Sequence, residues 1–174
     1  MPRGFARRLL QTMNHELPNR RSVRITDFTY RLTGACYVTI CTADRRELLG
    51  SVLNGACQLT DVGVIVSQQW HALAERWATV NVDVTHIVMP NHIHGIIWLD
   101  SSSGNHVPRL GDIVGAFKSE VTKAVRKTHR EVSSSLWQRS FYDHVIRDED
   151  DLLRIRQYIE TNPAKWEEDE YYRT

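Results

Sequence analysis

Two histidines one residue apart, His92 and His94, and a tyrosine and an asparagine four apart, Tyr158 and Asn162, have the types and spacing to do chemistry together. The stretch Val88-Met89-Pro90-Asn91-His92-Ile93-His94-Gly95-Ile96-Ile97-Trp98 turns at Pro90-Asn91 and continues as an extended apolar run, which puts both histidines on a strand. Alternate strand residues share a face, with Cα atoms roughly 7 Å apart, so two imidazoles at this spacing can converge on one metal ion. Tyr158 and Asn162, in Arg156-Gln157-Tyr158-Ile159-Glu160-Thr161-Asn162-Pro163, are stacked neighbours on a helix. Brought to the histidines, the phenol would be a nucleophile and the carboxamide a third ligand. That is a nuclease constellation.

Each piece also has an ordinary reading. A bare His-X-His pair is a weak motif, more often packed or exposed than metal-bound. Gly95, Ile96 and Ile97 follow it, where amidohydrolase-like or lactamase-like sites need more ligands close by. Position 96 is Ile, not the third histidine of a histidine-triad hydrolase, and Trp98 and Leu99 stand where a cupin would place a glutamate. Any further ligand must therefore come from elsewhere in the chain. Tyr158 borders the stripe Leu152, Ile155, Ile159 and also reads as a core-edge aromatic; Asn162 before Pro163 also reads as a helix end.

The elements that must position these residues can be read from periodicity. Over residues 35–42, Cys36, Val38 and Ile40 alternate with Tyr37, Thr39 and Cys41, as in a half-buried strand. Gly50 to Gly55 read as a turn-rich connection. Thr60 can cap a helix carrying Val62, Val66, Trp70, Leu73 and Trp77 at helical spacing. Val80, Val82, Val84 and Val88 alternate along a second strand, which Pro90-Asn91 turns into the histidine strand. Residues 101–108 are a loop by composition. A helix over 110–130 follows, with Leu110, Val114, Phe117, Val121 and Val125 on one stripe and Lys123, Arg126, Lys127 and Arg130 opposite. Lys118 falls beside the apolar stripe, either aimed at a ligand or snorkelling from the core edge. Residues 137–147 give a fourth strand, and the acidic run from Asp148 starts a helix that Pro163 ends. Four strands with a central hairpin and three helices fit an α+β domain, an antiparallel sheet covered by helices.

With 174 residues, 41% hydrophobic and 25% charged, the chain is expected to form one ordinary globular domain over residues 25–174. No apolar run is long enough to span a membrane, and no secretory leader is visible. Cys36, Cys41 and Cys57 lack metal-ligand spacing and read as reduced thiols, which places the protein in the cytoplasm. A net charge of +1 hides a polarity: residues 1–31 hold seven arginines against Glu16 and Asp27, whereas residues 143–174 hold ten acids against five bases. Residues 1–24 are expected to be a flexible basic arm, either a solvated leader or a phosphate-contacting segment through Arg20, Arg21 and Arg24.

Taken together, three stretches resemble the single-tyrosine HUH transposases, and within them the REP-associated tyrosine transposases. They are 88–95, the segment Trp137-Gln138-Arg139-Ser140-Phe141-Tyr142-Asp143-His144-Val145-Ile146-Arg147, and 158–163. The resemblance covers about residues 20–170 in order. It implies a ferredoxin-like (RRM-like) four-stranded antiparallel sheet, His92 and His94 as metal ligands, Tyr158 as nucleophile and Asn162 completing the metal site. It further implies a divalent ion, Mg²⁺ or Mn²⁺, and single-stranded hairpin DNA as substrate, cut to leave a 5′-phosphotyrosine link and a free 3′-hydroxyl. The protein would act as a monomer or homodimer. Arg45, Lys118 and Arg139 are expected to join the arm's arginines on the DNA. The long arm of residues 1–30 departs from the family pattern. A domesticated or non-catalytic RRM-like nucleic-acid-binding module is the alternative, although the basic-aromatic strand motif of RRM domains is absent.

Overall fold

The computed structural model describes residues 34–102, 106–129 and 135–172; the expected arm, with Arg20, Arg21 and Arg24, lies outside them. Along the chain run β1 (Gly34–Cys41), β2 (Gly50–Leu53), β3 (Ala56–Leu59), α1 (Asp61–His71), α2 (Leu73–Arg76), β4 (Val80–Met89), β5 (His92–Leu99), α3 (Leu110–Thr128), β6 (Tyr142–Ile146) and α4 (Glu149–Thr161). The main sheet has the order β4-β5-β1-β6, with every neighbouring pair antiparallel. This is the α+β arrangement expected from the pattern, with the ferredoxin-like sheet that the resemblance implied.

Alternation decides which side chains meet which helices. On one face Cys36, Val38 and Ile40 of β1 and Ile93 and Ile97 of β5 pack against Val66 and Trp70 of α1 and Ile113, Val114, Phe117, Val121 and Val125 of α3. On the other face Ala35, Tyr37 and Ile96 meet Ile155 and Ile159 of α4. Strand β1 is therefore not half-buried as its alternation suggested. Ala35 through Cys41 are all buried, because helices lie on both sides of a central strand. Gly95 belongs to the first face, where an added Cβ would stand 2.2 Å from Trp70 Cζ2. Only a residue without Cβ lets the indole come this close to the histidine strand.

Several boundaries differ from the sequence reading. The Gly50–Gly55 connection is part of a hairpin, β2 with β3, turned by Asn54 (φ 51) and Gly55 (φ 73). Two left-handed residues in a row are what a two-residue hairpin turn requires, and Asn-Gly supplies them. The helix capped by Thr60, whose hydroxyl accepts from Gly63 N–H, ends at His71 and resumes only for Leu73–Arg76, leaving Trp77 beyond it. In β4 the register slips between Val82 and His86, so Val84 is 89% exposed and Asp83 is turned into the protein. The fourth strand begins at Tyr142, and Trp137 makes only an isolated bridge to Thr42.

Candidate active site

The hairpin of β4 and β5 delivers His92 and His94 to the α4 face, and both are wholly buried. Their Nε2 atoms face each other at 2.8 Å. Asn91, in the turn, places its Oδ1 2.8 Å from His92 Nδ1. Its own Nδ2 donates to the carbonyls of Arg45 (3.3 Å) and Tyr171 (2.8 Å). Opposite His94 on β1 stand Thr39 and Tyr37, whose hydroxyl oxygens lie 2.9 Å and 2.7 Å from His94 Nδ1. Burial holds both imidazoles neutral, His94 down at about 3 and His92 well below its ordinary value, where the neighbouring His94 adds to the effect.

Helix α4 supplies the tyrosine. Asp148 caps it by accepting from Asp151 N–H, and Ile155 and Ile159 bury its inner stripe. Asp83 of the slipped β4 segment ties it to the sheet, accepting from Arg156 Nε at 3.2 Å and Nη2, and from Trp98 Nε1 at 3.0 Å. Tyr158, two residues after Arg156, stands with its ring centroid 5.4 Å from that of His94. Burial, and then the carboxylates of Asp169 and Glu170, push its phenol well above the ordinary range, with the Asn162 amide acting in the opposite sense. At neutral pH this phenol is protonated.

Asn162 follows the last turn of α4 and is buried. Its Nδ2 donates to Asp169 at 2.7 Å, while its Oδ1 is buried with no hydrogen-bonding partner. A buried acceptor left unpaired costs about 1–3 kcal/mol, so an oxygen in this state is well suited to a cation. Asp169 itself brings a carboxylate oxygen within 4.8 Å of the ligand atoms of His92 and His94. Two neutral imidazole nitrogens, an orphaned amide oxygen and a carboxylate fit a divalent metal ion. Tyr171 closes the cluster, its ring centroid 4.6 Å from His92 and 6.0 Å from His94.

The sequence-predicted residues are only partly gathered here. His92, His94, Tyr158 and Asn162 come together. Arg45 stands at the edge, its guanidinium 4.9 Å from the centre of the Tyr171 ring and donating to the Glu170 carbonyl. Lys118 is not brought to the cluster. It lies on α3, which packs on the opposite face, and its ammonium donates to the carbonyls of Gln138 (2.8 Å), Arg139 (3.4 Å) and Ser140 (3.0 Å). Burial lowers it to about 8, and three acceptors keep it charged at neutral pH. Arg139 is exposed on the loop that Lys118 holds. Sequence reasoning passed over Asp169, Tyr37 and Thr39. The last two could have been found as the polar members of an otherwise apolar strand; Asp169 sits in the acidic run 167–170, which has no period to read.

Relatives place this arrangement. Residues 38–162 match the IS200-like transposases, a span that holds both histidines, Tyr158 and Asn162 and stops short of Asp169. An uncharacterized protein of Haemophilus influenzae is 35% identical over 91% of this chain and 96% of its own length. A second protein of that organism, provisionally named a REP-associated tyrosine transposase, is 32% identical over 45% of this chain and 47% of its own. In fold, the chain is similar to a REP-associated tyrosine transposase solved bound to a REP hairpin (TM-score 0.53, 22% identity, 87% of this chain and 74% of that one). It is also similar to a Deinococcus radiodurans protein described as a transposase (TM-score 0.51, 18% identity, 83% and 96%). The match across the sheet, the histidine pair and the tyrosine helix makes this chain a member of the IS200-like transposase family.

Proposed function

We propose that the protein nicks and rejoins single-stranded, hairpin-bearing DNA, with Tyr158 as nucleophile beside a metal ion held by His92, His94 and Asn162. One observation carries this reading: a phenol stands against two buried neutral imidazoles whose lone-pair nitrogens converge, next to an amide oxygen with no partner. Asp169, with a carboxylate oxygen within 4.8 Å of the ligand atoms of both histidines, supports a further ligand beside the expected set. A divalent cation at these atoms, Mg²⁺ or Mn²⁺, would supply the positive charge that neutralises the scissile phosphate.

The chain's own residues do the rest. Asp83 and Arg156 fix the helix that aims Tyr158, and Ile155 and Ile159 seat it on its own sheet, so Tyr158 stands against the histidines of its own chain. The Tyr158 oxygen forms the new bond to phosphorus as the bond to the 3′-oxygen breaks; the phenol loses one proton and the departing oxygen takes one up. One phosphodiester replaces another, so no nucleotide cofactor is needed and the 3′-hydroxyl can reverse the step. A protonated phenol needs positive charge beside it to attack, which ties this chemistry to the histidine pair. Arg139, and Arg20, Arg21 and Arg24 of the N-terminal segment, are proposed phosphate contacts.

Purified protein, a labelled single-stranded hairpin and Mn²⁺, resolved on a denaturing gel, test the reading. The wild-type protein is expected to form a covalent adduct that EDTA abolishes, and Tyr158→Phe to bind the hairpin without forming one. An adduct with the Phe variant would pass the nucleophile's role to Tyr142, and cleavage in EDTA would remove the metal. Hairpin binding with no adduct in any condition would leave a binding module.

A further inference from the structure

The contact between His92 and His94 needs something between its two nitrogens. Asn91 Nδ2 is committed to two carbonyls, so the Oδ1 beside His92 Nδ1 can only accept. His92 therefore carries its proton on Nδ1 and points a lone pair from Nε2 at His94. Two lone pairs 2.8 Å apart repel, so either a proton or a cation occupies the gap.

With a proton there, His94 is the Nε2–H tautomer and donates to His92; its Nδ1 then accepts from a hydroxyl. With a cation there, His94 must carry the same proton on Nδ1, which then donates to a hydroxyl. Amides and carboxylates cannot serve both states, but hydroxyls can, because each is donor and acceptor at once. Two hydroxyls converge on His94 Nδ1, those of Tyr37 and Thr39, and they are linked to each other at 3.1 Å. Both residues are at least nine-tenths buried, with no solvent to take their place.

We propose that Tyr37 and Thr39 are positioning residues that let His94 exchange tautomers inside the protein, and that this exchange opens the His92–His94 pair to a divalent cation. The entering cation displaces the Nε2 proton to solvent, Nδ1 takes up one proton from solvent, the hydroxyl pair reverses its hydrogen bonds to accept from it, and the net charge of the histidines is unchanged. The inference rests on the metal reading above. It adds two residues that touch neither metal nor DNA.

The test is Mn²⁺ binding to the full chain without DNA, followed by electron paramagnetic resonance, with thermal melting alongside. Tyr37→Phe with Thr39→Val removes both hydroxyls and is expected to weaken Mn²⁺ binding roughly 10–100-fold, the usual cost of losing such supporting partners. Tyr37→Phe alone, which keeps Thr39, should fall between, and Thr39→Ser should bind as the wild type does. A folded double variant that binds Mn²⁺ as tightly as the wild type overturns the inference. Failure of the wild-type protein to bind Mn²⁺ at the histidines overturns the metal reading and this inference with it. Should the double variant not fold, ¹⁵N spectra of the wild-type imidazoles decide: Zn²⁺ should move the His94 proton from Nε2 to Nδ1, and a proton that stays on Nε2 refutes the exchange.

Discussion

The two faces of one sheet are built by alternate residues of the same strands, yet they are different materials. Beneath α1 and α3 the packing is apolar: Val38, Ile40, Ile93 and Ile97 against Trp70, Phe117 and Val121. Beneath α4 the apolar cluster is small, and Thr39, Asp83, His92, His94, Asp151 and Asn162 are buried around it. Burying so many polar groups costs free energy unless each is paired, and most are, through short hydrogen bonds. The dry face holds the fold so that the other can hold a site.

Substitutions on the two faces should therefore part company, and the largest effects come first. Phe117→Ala empties the dry face and is expected to cost about 3–5 kcal/mol, read from the denaturant midpoint. Whatever protein remains folded should still form the DNA adduct. His94→Ala is expected to do the reverse, abolishing Mn²⁺-dependent adduct formation at a smaller cost to the midpoint, about 1–3 kcal/mol for the hydroxyls it leaves unpaired. A variant of either kind that loses both stability and chemistry in equal measure would erase the distinction between the faces.

The Asp83–Arg156 pair gives a smaller and more discriminating effect, since it lies on the polar face but away from the histidines. Arg156→Ala strands a carboxylate that is 5% exposed, with only Trp98 and the Thr85 N–H left to satisfy it. Asp83→Ala leaves an arginine that can turn to water. Removing the arginine should thus cost more, of order 2–3 kcal/mol against about 1 for removing the acid. Both should slow adduct formation, because Arg156 and Tyr158 share a helix. Equal losses for the two variants would mean the pair behaves as a surface bridge.

The dry face was the more legible in the sequence. Its stripe Leu110, Val114, Phe117, Val121, Val125 has the helical period and is buried as the period implies. His92 with His94, and Tyr158 with Asn162, were legible as pairs, because their spacing fixes a shared face before any tertiary contact is known. What joins them was not. Tyr37 and Thr39 meet His94 only through strand pairing across 55 residues or more, and Asp169 arrives from beyond the helix that Pro163 ends. Lys118 shows the opposite failure. Its place beside the stripe was correct, but periodicity does not say that three carbonyls of the 138–140 loop would take its charge.

The last effect is one of pH. His94 is held at about 3, and His92 well below 6.5, so between those limits the unfolded chain binds protons that the folded one refuses. Stability is then complete above about pH 6.5 and falls as the pH drops toward 3, by up to about 1.4 kcal/mol per pH unit for each histidine. Asp83, which burial would raise but Arg156 and its other hydrogen bonds hold below 3.8, begins to contribute only at the acid end of this window. Between pH 6.5 and 4.5 in EDTA, urea midpoints of the wild-type protein should therefore decline, and His94→Asn should decline less steeply. His86, lowered by burial, adds a share that the variant keeps. Identical slopes would mean that water reaches the histidine pair in the folded protein, and that the polar face is less closed than the dry one in a way that no single hydrogen bond reveals.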